Sequence, residues 1–175
     1  MPARKSRAPP YLVAAWLGAS GAMAQEVHYS PEERLDAIDA ALIATAKLSI
    51  DMAAFSLTDS IVIDALNDAQ HRGVTVRLIL DPRVRHDFAR LGGLSRHARI
   101  RRSDELMHLQ AYAIDGQVLR TGSANFTVSG EQRQDSDLVV IRDPSDAEKF
   151  EVHFERMWRD APMVEFTPPI RALPK

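Results

Sequence analysis

The chain has 175 residues, of which 45% are hydrophobic and 26% are charged, a composition that excludes disordered, collagen-like and coiled-coil proteins. Its length predicts one domain that is large enough to bury a core. It contains no cysteine, which excludes disulfide scaffolds, cysteine-ligated metal sites and thiol nucleophiles, and its formal net charge of −2 points to no class of partner.

The first 24 residues have the features of a secretory signal peptide. Arg4, Lys5 and Arg7 form a basic start, residues 11–24 form an apolar run, and small residues at 22 and 24 match a cleavage site. As a helix the run would span about 21 Å, which is short of a roughly 30 Å hydrocarbon core. We therefore expect cleavage after Ala24, no stable membrane anchor, and a periplasmic or secreted protein. The mature chain would have 19 basic and 24 acidic residues, a net charge of −5.

The next residues alternate between helix-like and strand-like segments, which is the pattern of an α/β domain. Ser30 is predicted to cap a first helix with Pro31 at its first position and Glu33 completing a capping box. A strand is predicted over residues 48–55. A second helix follows, capped by Thr58 or Asp59 and ended by a left-handed Gly73, and the apolar run 74–80 predicts a central strand.

The second half of the chain is predicted to contain a hairpin, a strand and a long helix. Residues 107–122 hold two strand-like runs joined by Asp115-Gly116, which is a strong hairpin signal. A strand over residues 138–141 leads into an amphipathic helix bearing Phe150, Phe154 and Trp158. The chain thus divides into a leader (1–24), a domain (25–160) and a proline-rich tail (161–175).

Polar residues converge on the two ends of this hairpin. Side chains two apart on a strand share a face, so His108 and Gln110 are expected to project together. The return strand ends in Gly122-Ser123-Ala124-Asn125, which brings a hydroxyl and a carboxamide to the same end. Such donors could bind a phosphate.

These residues carry a family resemblance. The pattern His108-x-Gln110-(x)4-Asp115-(x)6-Gly122-Ser123-x-Asn125 resembles the His-x-Lys-(x)4-Asp-(x)6-Gly-Ser-x-Asn motif of the phospholipase D superfamily, with every spacing kept. The surrounding chain, from about residue 26 to 160, is similar to small secreted bacterial endonucleases with one motif per chain. The expected fold is α/β, a mixed β-sheet flanked by helices on both faces.

The resemblance implies cleavage of a phosphodiester without metal or cofactor, through a phosphohistidine on His108. An imidazole can act as a nucleophile when neutral and as a general acid when protonated. One histidine cannot do both in the same in-line step, so a single motif implies a homodimer with the site at its twofold axis. Asp135 or Asp137 is expected to orient His108. Asp115 either orients the motif or is only a turn residue.

The departure from the family motif is Gln110, which stands where the motif has lysine. An amide can donate a hydrogen bond to phosphate but brings no positive charge. Loss of one preorganised donor typically costs about 10²–10³ in rate, so we expect weakened activity.

Seven arginines and one acid lie between residues 83 and 102, a local charge of +6 just before His108. Such a run is either a solvated face or a track for a polyanion, with Arg101 and Arg102 nearest the motif.

Nucleic acid is the expected substrate, phospholipid is an alternative, and a non-catalytic phosphate-binding module is a third possibility because of Gln110. The remaining histidines have no metal-ligand spacing, so no metal site is expected.

Overall fold

A seven-stranded mixed sheet forms the centre of the computed structural model, which describes residues 24–84 and 86–163. Most of the predicted leader and tail therefore lies outside the described residues. In chain order the sheet contains β1 (Ala24–Ser30), β2 (Ser49–Ala54), β3 (Thr75–Leu80), β4 (Ala98–Ile100), β5 (Gln110–Ile114), β6 (Val118–Gly122) and β7 (Ser136–Arg142). Across the sheet the order is β1-β7-β6-β5-β2-β3-β4, and only the β2–β3 and β3–β4 pairs are parallel.

Helices cover both faces of this sheet, as predicted. The α-helices are α1 (Leu35–Ala44), α2 (Ser60–His71), α3 (Phe88–Leu91), α4 (Val128–Gln132) and α5 (Pro144–Asp160), and a 3₁₀ helix spans Gly92–His97. One core lies between the sheet and helices α1 and α2, and a smaller core lies under α5, where Phe150, Phe154 and Met157 pack. None of the described helices is long and apolar enough to span a bilayer.

Several elements of the domain follow the local signals closely. Asp59 caps α2 by accepting from the backbone N–H groups of Ile61 and Val62, and Asp143 caps α5 with Pro144 at its first position. Gly73 has a φ of 92°, which fits the predicted left-handed stop after α2. The hairpin forms with a three-residue loop of residues 115–117, closed by a hydrogen bond from the Gln117 N–H to the Ile114 carbonyl.

The predicted start of the first helix is wrong. Ser30 is the last residue of β1, and α1 begins at Leu35 with Arg34 at the N-cap and no side-chain cap. The Ser30 hydroxyl instead donates to the Gln134 carbonyl at 2.7 Å, and the Glu33 carboxylate accepts from the Tyr29 N–H. Pairing of residues 24–30 with β7 outweighs the local capping signal, because that signal fits a helix but says nothing about a distant strand.

A buried ionic cluster, which we call the Arg120 cluster, lies between α1, α4, β5 and β6. Arg120 on β6 donates from Nε and Nη2 to both oxygens of Asp39, at 2.9 and 2.8 Å, and from Nη2 to Glu131 at 3.2 Å. The Tyr112 hydroxyl donates to Asp39 at 2.7 Å. All four side chains are fully buried. Two carboxyl groups therefore compete for one guanidinium away from water.

One of these carboxyl groups holds a proton at neutral pH. Burial, followed by the nearby Asp39 charge, raises the pKa of Glu131 to about 9 despite Arg120. Glu131 is therefore neutral in the folded protein and ionised in the unfolded chain around pH 7. Because the folded state binds more protons, the stability of the domain falls as pH rises from about 4.5 to 9.

We expect Glu131→Gln to flatten this pH dependence. The amide keeps the volume of the neutral acid but cannot ionise, so the fall in the free energy of unfolding between pH 6 and pH 9 should shrink by about 1 kcal/mol or more. Urea unfolding at a series of pH values measures it. Glu148, which is exposed on α5, provides the control. An equal change in Glu148→Gln would show that Glu131 is not the responsible group.

Candidate active site

Most of the predicted site residues gather where β2 and β6 end and where β5 and β7 begin. Because β5 runs antiparallel to β2 and to β6, these four strand ends share one edge of the fold. His108 and Gln110 lie at the start of β5, Ser123 and Asn125 follow β6, and Asp135 and Asp137 lie at the start of β7. The hairpin that the sequence predicts is therefore what brings the motif halves to one place.

His108 lies two residues before β5 and presents an exposed side chain. Its ring centroid is 4.6 Å from that of Phe55, which follows β2. The strand alternation extends back to it, since Met107 and Leu109 pack with Ala111 in the core under α5, on the side away from Tyr112. Within residues 24–84 and 86–163 its ring forms no hydrogen bond, so both nitrogens are open to solvent or substrate.

The segment that enters His108 is fixed by Asp81, a fully buried residue that directly follows β3. The Asp81 carboxylate accepts from the Met107 N–H at 3.0 Å and from the Arg83 N–H at 2.8 Å. This contact joins the end of β3 to the residue just before His108. Sequence reasoning missed Asp81, because an aspartate after a strand is usually a turn residue.

Gln110 is 2% exposed and is held by Asn125. Its Nε2 donates to the Asn125 Oδ1 at 2.6 Å, and its Oε1 is buried without a hydrogen-bond partner among the described residues. The second Nε2 hydrogen has no acceptor among the described residues. An unpaired buried acceptor costs about 1–3 kcal/mol, so this side chain is positioned at some expense to stability.

The Arg120 cluster supports both halves of the motif from below. Arg120 Nη1 donates to the Gln110 carbonyl at 2.9 Å and to the Ala124 carbonyl at 3.4 Å. Its guanidinium also lies 4.4 Å from the centre of the Phe126 ring. The same buried cation thus fixes the backbone of the first motif strand and of the loop that carries Ser123 and Asn125.

Ser123 is bound to Asp137 rather than to His108. The Ser123 hydroxyl donates to the Asp137 carboxylate in a short hydrogen bond, and the Asp137 N–H donates back to the hydroxyl oxygen at 3.0 Å. Asp135 is exposed and makes no hydrogen bond within the described part of the chain. Both aspartates line a cavity of about 580 Å³ with Tyr29 and Ser123. In this arrangement Asp137 positions Ser123, and neither aspartate touches His108.

Asp115 and His108 lie beyond opposite ends of β5, whose five residues span roughly 17 Å. With a φ of 53°, it turns its carboxylate onto the N–H groups of Lys47, Leu48 and Ser49 at 2.8–2.9 Å. Burial raises the pKa of this carboxyl, but the three backbone donors together outweigh burial and hold it below its usual value. Asp115 therefore fixes the start of β2 and is a structural residue.

The described residues of the arginine-rich segment do not form one continuous track. Arg90 pairs with Asp64 at 2.8 Å, and Arg99 lies 4.2 Å above the Trp158 ring and donates to the Trp158 carbonyl. These two arginines are used in packing. Arg101 lines a cavity beside His108, whereas Arg102 is exposed and lies outside that cavity. The positive charge that can face a substrate is therefore smaller than the local charge of +6.

Gly122 is required where β6 turns into the motif loop. It has a φ of 142°, and a Cβ there would lie 2.3 Å from the Asp137 carbonyl oxygen.

Among residues 24–84 and 86–163, no group of three or more His, Cys, Asp or Glu side chains could hold a metal ion.

We expect Gly122→Ala to displace Ser123 from Asp137 and to destabilise the domain by more than a positive φ alone would. Gly73 is the matched control, since its φ is also positive, at 92°, but a Cβ there meets nothing within 4 Å. Gly73→Ala should cost about 1 kcal/mol and Gly122→Ala at least twice that. Urea unfolding of both variants measures the difference. Equal costs would contradict the close approach of Gly122 to β7.

The sequence of this chain is similar to those of known proteins. Residues 40–158 match the family model described as the phospholipase D-like domain of cardiolipin synthase. Over 112 residues the chain is 35% identical to a phospholipase D of Rickettsia bellii, covering 62% of this chain and 56% of the relative. Over 144 residues it is 29% identical to a mitochondrial cardiolipin hydrolase of Canis lupus familiaris, covering 78% and 55%. The chain therefore spans about half the length of these relatives.

A solved structure has the same fold, and nearly all of that structure's chain superposes on this one. This is the phospholipase D family member Nuc from Salmonella typhimurium, with a TM-score of 0.74 and 28% sequence identity. The superposition covers 82% of this chain and 99% of that chain.

Proposed function

Because the chain belongs to the phospholipase D superfamily, we propose that it hydrolyses phosphodiesters through a phosphohistidine on His108, without a metal or cofactor. The observation that carries the proposal is the exposed His108 ring, free of hydrogen bonds in the described part of the chain, at the edge shared by Gln110 and Asn125. An imidazole not bound to a carboxylate or carbonyl is free to approach phosphorus. We propose that the neighbouring Gln110 amide N–H binds a non-bridging oxygen.

The chemistry needs two histidines on opposite sides of phosphorus. In the first step a nitrogen of His108 forms a bond to phosphorus as the bond to the leaving oxygen breaks, and a protonated histidine gives that oxygen its proton. In the second step the histidine that gave up its proton is neutral. It takes a proton from water as the water oxygen bonds to phosphorus and the bond between phosphorus and His108 breaks. One motif per chain supplies one such histidine. We therefore propose that two copies of the chain share the site.

We propose nucleic acid as the substrate. The cavity beside His108 contains Arg101, so positive charge lies where a second phosphate of a polyanion would pass. The names of the curated relatives favour a second candidate, a phospholipid. Both substrates present the same phosphodiester, so His108 would act alike on each.

We expect His108→Ala to abolish hydrolysis, because it removes the nucleophile and, in the second copy, the proton donor. Plasmid nicking and release of a phospholipid headgroup, each with EDTA present, measure the two candidate activities. His97→Ala is the control, since His97 is exposed and lies outside the cavity next to His108. Activity that survives His108→Ala contradicts the proposed nucleophile, and activity of the parent chain on neither substrate favours a non-catalytic module.

Titration of active dimers with the His108→Ala chain tests the shared site. If both copies supply a histidine, activity falls with the square of the fraction of unmodified chains. A linear fall would mean that each chain works alone.

We expect Gln110→Lys to raise the hydrolytic rate by about 10²-fold. An ammonium at this position adds a positive charge at the phosphate, where the amide supplies only a hydrogen bond. The lysine also removes the bond to Asn125, so Gln110→Leu, which loses the same bond without adding charge, is the control. Initial rates on one substrate decide it. An equal rate for the two variants would show that residue 110 does not contact the phosphate.

A further inference from the structure

A cavity of about 350 Å³ opens beside His108, and its wall brings together residues from two distant parts of the chain. Arg101 comes from the segment after β4, and His153 comes from α5, which packs across the sheet. Leu106, Met107 and Met157 add an apolar surface. The cavity thus combines two nitrogen-bearing side chains, a hydrophobic wall and the candidate nucleophile.

Arg101 is available to an anion in a way that Arg90 and Arg99 are not. In the described part of the chain it has no carboxylate within ion-pair distance, and its guanidinium donates only to the Arg102 carbonyl at 3.4 Å. Arg90 and Arg99, by contrast, are held by Asp64 and Trp158. The one acid in the cavity wall, Glu105, is exposed at the rim.

His153 is oriented to donate. Arg156 donates to its Nδ1 at 2.8 Å, which leaves Nε2 to carry the ring hydrogen. Burial, then the charges of Arg156 and Arg101, lower the pKa of His153. An anion placed between Arg101 and His153 would relieve this repulsion and accept a hydrogen bond from each.

We propose that this cavity is a subsite for the phosphate next to the scissile one in a polynucleotide, bound by Arg101 and His153. The proposal rests on the proposed phosphodiesterase function and extends it to substrate class. Arg101 is suited to a bidentate contact with two phosphate oxygens, and His153 adds a single donor. The apolar wall of Leu106 and Met157 fits the sugar or base between the two phosphates.

Binding of short oligothymidylates tests the subsite independently of turnover. Competition against a labelled octathymidylate compares a dinucleotide, which has one phosphodiester, with a trinucleotide, which has two, in chains that all carry His108→Ala. We expect the second phosphate to tighten binding about tenfold, and expect Arg101→Ala or His153→Ala to lose that gain. The salt dependence of octathymidylate binding should fall by about 0.7 in slope with Arg101→Ala. A structural role alone would not move that slope.

Two neighbouring residues provide matched controls. Arg102→Ala removes the same charge one residue away, outside the cavity, and should keep the gain from the second phosphate. Glu105→Gln removes a repulsive charge at the rim and should increase the gain. The proposal is overturned if the gain survives in Arg101→Ala and His153→Ala, or if Arg102→Ala loses it equally. Binding of phosphatidylglycerol vesicles that depends on Arg101, with no gain from a second nucleotide phosphate, would also overturn it.

Hydrolysis of bis(p-nitrophenyl) phosphate, which has a single phosphate, separates this proposal from the proposed function. In chains with His108 intact, Arg101→Ala should leave the rate on this substrate within twofold and raise KM only for oligonucleotides. Absence of all hydrolysis by the parent chain would contradict the phosphodiesterase function, while the binding experiment would still decide the subsite. An equal loss on both substrates would place Arg101 at the reacting phosphate instead.

Discussion

The candidate active site depends on one buried cation. Arg120 has no access to water, and it donates hydrogen bonds to Asp39, Glu131 and two backbone carbonyl groups instead. Moving such ions out of water costs several kcal/mol each, which only dense hydrogen bonding can offset. The geometry meets that condition, and it does so with carbonyl oxygens that belong to the motif. The positions of Gln110 and of the loop bearing Asn125 are therefore tied to the energetics of the core.

The family motif and the network beneath it divide the work of the site. The motif supplies the polar groups at the sheet edge, and residues outside the motif hold several of them in place. Asp81 fixes the approach to His108 through a backbone N–H, and Asp137 fixes Ser123. Asp115, although part of the motif, supports β2 at the far end of the hairpin. A residue that matches the family motif therefore does not always lie at the candidate active site.

Local signals in the sequence were sufficient for much of the fold and for part of the site. Asp59, Gly73 and Asp143 end or begin helices through contacts with their own neighbours, so their roles can be predicted from nearby residues. Ser30 carried an equally good local signal but lies in β1, because pairing with β7 involves residues more than 100 positions away. The Arg120 cluster was missed for the same reason, since nothing near Asp39 or Glu131 marks a buried partner on β6. The hairpin placed His108 and Gln110 correctly on one edge, whereas the contacts of Asp135 and Asp137 depended on how β7 packs beside β6.

The pairing of β1 with β7 has a consequence for how the molecule is made. Ser30 lies opposite Ser136, so the partner strand of the first described strand comes more than 100 residues later in the chain. Contacts between residues so far apart in sequence require a large loss of chain entropy before they return any energy, and they slow folding. A ribosome that has released the first hundred residues has not yet produced the partner of β1. The sheet can therefore close only after residues 136–142 have been made, and until then β1 has no partner strand.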